Sequence, residues 1–116
     1  MRLKVRQIGH VAVVDLAGKI TVGEGDAVLR EGVFKLLQSD QRQILLNLGK
    51  VPYIDSSGIG EMVACYKAAR DKNGTVKLLN PSEKVSDMLQ ITRLETVFEI
   101  YRDEKEALRS FGPNIS

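Results

Sequence analysis

Apolar positions along the chain recur first at intervals of two, then at about 3.6, and the interval switches repeatedly from end to end. Leu3, Val5 and Ile8 stand in rough alternation and predict a first strand over 3–8. Gly9-His10 is a link short enough only for a hairpin, so Val11-Ala12-Val13-Val14-Asp15-Leu16 is expected to pair antiparallel with it. Gly18-Lys19-Ile20-Thr21 is expected to close that second strand, and 22–26 to form a loop. Over 26–39 the period becomes helical. Leu29, Val33, Leu36 and Leu37 share one side, Phe34 lies at its edge, and Arg30, Glu31 and Lys35 face water. Thr21 or Asp26 could cap this helix, and Gly32 inside it costs about 1 kcal/mol relative to alanine. After the polar turn at 40–42, Ile44-Leu45-Leu46-Asn47-Leu48 is the most continuously apolar stretch, as expected of a central strand.

The second half repeats the alternation. A helix over 57–72 places Ile59, Met62, Val63 and Tyr66 on one face and ends at Asn73-Gly74, a left-handed cap signal. A strand follows over 75–79. Asn80-Pro81-Ser82-Glu83 reads as a capping box with proline at the first helical position, opening a helix that carries Val85, Met88, Leu89 and Ile91. A short strand is predicted over 97–101. Asp103-Glu104-Lys105-Glu106 then opens a last helix with Ala107, Leu108 and Phe111, which Gly112-Pro113 stops, leaving 111–116 as a loose tail. The order ββαβαβαβα requires parallel crossovers after an antiparallel hairpin. The predicted fold is α/β, a single mixed sheet of about five strands with about four helices packed on it.

Length and composition narrow the function classes. A chain of 116 residues predicts one domain, 1–116, with no internal repeat or linker. Seventeen Lys and Arg against fifteen Asp and Glu leave +2, interspersed, which argues against a nucleic-acid or anionic-membrane partner. Lys67, Arg70 and Lys72 are explained by the negative end of their helix. Cys65, alone and within a helical pattern, reads as a structural thiol. The single His10 has no companion at metal-ligand spacing, and no metal or cofactor is expected. No segment approaches the 18 or so apolar residues of a membrane span, and the start carries no apolar stretch of signal-peptide type. The expected location is the cytoplasm.

The chemistry concentrates at Asp55-Ser56-Ser57-Gly58, where a buried strand and its loop give way to a helix. A helix start offers free N–H groups and about half a positive charge, so a serine there can be a plain cap or can carry a phosphate. Gly58 and Gly60 either relax the turn or let another backbone come close. Thr21 to Asp26 is a second strand-to-helix loop. If its strand neighbours the central one, both loops form one surface at the carboxyl ends of the strands.

This element order, with Asp55-Ser56-Ser57-Gly58-Ile59-Gly60 directly after an apolar strand, resembles the STAS family. Among its branches it is similar to the bacterial anti-sigma-factor antagonists, over nearly the whole chain. The resemblance implies that Ser56, less readily its neighbour Ser57, is phosphorylated by a partner that is both anti-sigma factor and serine kinase. The unphosphorylated form would bind that partner and free the sigma factor for transcription. Phosphorylation would end binding, and a PP2C-like phosphatase would reset it. The chain would be no enzyme, since ATP and Mg belong to the partner kinase, and would be a monomer or weak homodimer. Thr21, Asp26, Asp55, Ser56, Ser57, Gly58 and Ile59 would form the partner surface. Many such antagonists carry Gly-Glu-Leu-Asp where this chain has Gly18-Lys19-Ile20-Thr21, so an acidic pair is missing beside that surface. Family members also serve in lipid-transport or stress-sensing complexes and as tails of anion transporters. A serine nucleophile at Ser56 would need a base, and only His10, from the distant hairpin, could supply an imidazole.

Overall fold

Period-two alternation in the first residues produces a hairpin in the computed structural model, which describes residues 1–113. Strands β1 (Arg2–Ile8) and β2 (Val11–Ala17) pair antiparallel, Arg2 opposite Ala17 and Ile8 opposite Val11. Strands β3 (Gln43–Lys50), β4 (Thr75–Leu79) and β5 (Ile100–Tyr101) then add in parallel, in the order β1-β2-β3-β4-β5. The connections are helices α1 (Gly25–Gln38), α2 (Ser56–Asp71) and α3 (Glu83–Ile91), and α4 (Glu104–Ser110) closes the fold.

The two faces of the sheet are covered unequally. Val14, Leu16, Ile44, Leu46, Leu48, Val76 and Leu78 pack against Leu29, Val33 and Leu37 of α1, Ile59, Met62 and Cys65 of α2, and Val85 and Leu89 of α3. On the other face, among the described residues, Ala107 and Leu108 of α4 and Phe111 just behind it cover only Val11, Val13, Leu45 and Leu79. Burial on both faces explains why β2 and β3 read as apolar runs rather than as alternation. Cys65 is enclosed, and burial pushes its thiol up to about 12, which keeps it protonated. Among the described residues no helix is long and apolar enough to cross a membrane.

Several local expectations shift. Gly18 to Thr21 does not extend β2. The register breaks between Asp15 and Ala17, and Ile20 returns only as a single parallel bridge to Ile54. Neither Thr21 nor Asp26 caps α1 with its side chain. Glu24 occupies the N-cap without a side-chain bond, and the Asp26 N–H donates to the Thr21 carbonyl at 3.0 Å. Pro81 lies outside α3. Ser82 is the cap, accepting from the Val85 N–H at 3.4 Å, so the position a capping-box glutamate would fill belongs to valine. Ile91 is 77% exposed, beyond the last buried turn. The strand predicted over 97–101 shrinks to Ile100–Tyr101 behind a 3-10 turn at Leu94–Thr96. Phe98 turns inward there, edge-on to Tyr66 at 5.1 Å between ring centres, because burying a ring outweighs prolonging an edge strand. Phe111, counted with the apolar residues of the last helix and also at the head of a loose tail, is packed as the first of these requires, with the buried Lys77 ammonium 4.7 Å from its ring centre. Residues 114–116 of that predicted tail lie outside the described residues.

Candidate functional site

The loop after β3 is anchored before it reaches α2. The Ile20 N–H donates to the Tyr53 carbonyl at 3.0 Å, and Ile20 and Ile54, both buried, pair beside it. Asp55 follows in extended conformation as the N-cap of α2. One of its carboxylate oxygens accepts from the Gly58 N–H at 2.9 Å, the other from the Val22 N–H at 3.0 Å. A single side chain thus caps the helix and ties down the loop that precedes α1. Both bonds favour the ionised form and hold the Asp55 carboxyl below its ordinary range, the Gly58 N–H first.

The two serines have different surroundings. Ser57 donates its hydroxyl to Asp26 Oδ2 at 2.6 Å, joining the first turns of α2 and α1. That bond, with the Ala27 N–H at 2.7 Å on Oδ1, lowers the Asp26 carboxyl. Ser56, the first residue of α2, is exposed, and no described hydrogen bond uses its hydroxyl. Gly58 and Ile59 are buried and build the site from within, whereas Thr21, Asp26, Asp55 and Ser57 are half-buried at its surface. The backbone that comes close to Gly58 is the chain's own: a Cβ there would lie 2.2 Å from the Ile20 carbonyl oxygen, while one at Gly60 would meet nothing within 4 Å. His10 sits at the head of β2, and Ser56 follows the far end of the parallel β3. Strands of seven or eight residues separate them by about 20 Å, so no serine–histidine pair forms.

The chain's match to known proteins extends over most of this architecture. The sequence model described as STAS domain matches residues 2–107. The chain belongs to the STAS domain family. The anti-sigma-B factor antagonist of Bacillus subtilis is 31% identical over 100 residues, covering 86% of this chain and 90% of that relative. The crystal structure of TM1081 from Thermotoga maritima is similar with a TM-score of 0.87 at 26% identity, over 93% of this chain and 92% of that one. The Bacillus cell fate determinant SpoIIAA, in its phosphorylated form, shares the fold with a TM-score of 0.74 at 20% identity, over 95% of this chain and 99% of that one.

In this STAS domain the acidic side chain bonded to Ser57 is that of Asp26, which reaches it from the first turn of α1. Two surface residues that periodicity did not single out lie on the loops that meet at Asp55, Val22 through its N–H bond to that carboxylate and Tyr53 two positions before it. Val22 is 72% exposed and Tyr53 is 42% exposed. An apolar residue between Thr21 and Gly23, in an otherwise polar loop, was the one available signal for the first.

The Asp55 and Asp26 carboxylates give the STAS domain a defined acid response. Their folded-state values lie below the unfolded ones, so the stability they contribute is complete above about pH 4 and is lost as pH falls through the lowered values. Asp55→Asn retains a good capping side chain but cannot titrate. Urea midpoints measured between pH 2.5 and 6 are expected to fall less steeply for Asp55→Asn than for the wild type. Identical slopes would show that the carboxylate is not linked to folding.

Proposed function

We propose that this STAS domain is an anti-sigma-factor antagonist whose docking is controlled by phosphorylation of Ser56. The observation that carries this reading is the contrast between the serines: Ser57 is engaged by Asp26, while the Ser56 hydroxyl stands exposed at the start of α2. A kinase needs a reachable hydroxyl on a rigid element, and of the two adjacent serines Ser56 meets both conditions. Val22 and Tyr53, exposed on the loops that meet at Asp55, supply apolar area of the kind that anchors an interface. In its unphosphorylated form the domain binds an anti-sigma factor with serine kinase activity, releasing the sigma factor. The phosphorylated form leaves, and a PP2C-like phosphatase restores it. The kinase brings ATP and Mg, and the domain itself catalyses nothing, works in the cytoplasm, and is a monomer or weak homodimer. The sequence likeness to an anti-sigma-B factor antagonist supports the assignment of partner class.

The test is incubation with the cognate kinase and ATP, followed by mapping of the phosphate by mass spectrometry. Wild type and Ser57→Ala are expected to take one phosphate at Ser56, and Ser56→Ala none. Phosphate on Ser56→Ala at the wild-type rate would overturn the assignment.

A further inference from the structure

We propose that the part of the sheet left uncovered by α4 binds an oligophosphate, held by Arg2, Lys4 and Lys50 around Ala17. Pairing places Arg2 opposite Ala17 and Ala17 opposite Lys50, so the three lie in one row on one face. With strands about 4.8 Å apart, the outer two Cα atoms are about 10 Å apart with only a methyl group between them. Lys4, Asp15 and Asn47 form the next row of that face, about 7 Å along the strands. The rows line an open cavity of about 580 Å³.

The charge balance of this groove is uneven. Arg6 takes both oxygens of Asp15 at 2.6 and 3.0 Å, and both of Glu104 at 2.6 and 3.3 Å. Asn47 donates to Asp15 at 2.8 Å and accepts from the Gly49 N–H at 3.1 Å. The carboxylates of the groove are therefore satisfied by Arg6, which also stands between it and the acidic first turn of α4, where Asp103 and Glu106 flank Glu104. Arg2, Lys4 and Lys50 enter no ion pair among the described residues. Cations on an edge strand also discourage pairing with another sheet, but that role needs neither Lys50, on an interior strand, nor the small residue between.

The spacing selects the ligand. A lone carboxylate would reach one cation, whereas two or three linked phosphoryl groups span all three and gain a charge-assisted bond at each. No aromatic side chain lines the groove, and the Asn47 amide is already engaged, so nothing there reads a base. Recognition is of the phosphate chain itself. Because the groove and α2 lie on opposite faces of the sheet, this site is independent of the reading of Ser56.

Calorimetric titration with inorganic pyrophosphate and tripolyphosphate is expected to give saturable one-to-one binding, tighter for the longer anion. Arg2→Ala and Lys50→Ala should each weaken it about tenfold or more, and Lys67→Ala, on the far helix, should leave it unchanged. Ala17→Leu changes no charge but fills the floor, and should also weaken binding. Amide shifts of the wild-type protein on adding tripolyphosphate are expected at Arg2, Lys4, Ala17 and Lys50. Shifts centred on the first turn of α2, equal weakening by Lys67→Ala, undisturbed binding in Ala17→Leu, or no saturation at millimolar anion would each overturn the proposal.

Discussion

Gly58→Ala is expected to destabilise the domain by about 1–3 kcal/mol, although alanine is the better helix former by about 1 kcal/mol. The added methyl carbon would stand 2.2 Å from the Ile20 carbonyl oxygen, 2.7 Å from Ile54 Cγ1 and 2.9 Å from Ile20 Cγ2. None of these atoms can step aside. The carbonyl belongs to backbone fastened by the Asp55 N–H at 3.3 Å, and both isoleucines are enclosed in the core. The start of α2 would have to lift off the segment it packs on. Gly25→Ala is expected to behave likewise from the α1 side, where the new carbon would lie 2.1 Å from the Lys19 carbonyl oxygen. Gly60→Ala, in the same helix but with nothing within 4 Å, is instead expected to stabilise by about 0.5–1 kcal/mol. Urea midpoints at constant slope separate the two results. A Gly58→Ala protein as stable as Gly60→Ala would mean that residues 19–20 are not held against the helix.

Ser56→Asp and Ser56→Glu are expected to weaken docking to the anti-sigma factor by about 10² to 10³, with thermal unfolding unchanged. The two effects separate because the same charge meets different surroundings. In the free domain Ser56 faces water, and the positive end of α2 favours an added anion by about 0.3–1 kcal/mol, offsetting part of the repulsion from Asp55. Asp55 has both oxygens occupied by N–H groups and cannot turn away. In the proposed complex, a charge or phosphate at Ser56 pressed against the partner surface would lose its water without gaining a counter-ion. Val22→Ala and Tyr53→Ala are expected to cost less, about 1–2 kcal/mol of binding each, because they remove contact area without burying a charge. Binding of Ser56→Asp at wild-type affinity would sink the switch.

Much of this molecule is written locally. The ββαβαβαβα order followed from changes of apolar period, and the ends of α2, to within one residue, from the capping-type side chains at 55–57 and from Asn73-Gly74 behind it, where Asn73 takes up the left-handed conformation at φ 60°. Such signals are short-range: a helix stripe, a hairpin link or a cap depends on neighbours within about four residues. The motif at Asp55-Ser56-Ser57-Gly58 was visible for the same reason, as three capping side chains ahead of a helical stripe.

Tertiary contact alone decided what that motif presents to solvent. Adjacent serines carry the same local chemistry. The one that is occupied was selected by Asp26, 31 residues away, and the Asp55 carboxylate found its second donor in Val22, 33 residues away. The inward turn of Ile59, the close passage of Ile20 over Gly58, and the row of Arg2, Ala17 and Lys50 across three strands likewise depend on how elements pack and in what register. Periodicity states which side of an element is apolar. It carries no information about which distant backbone arrives against that side, because the arrival is set by burial of the whole core rather than by any neighbouring residue.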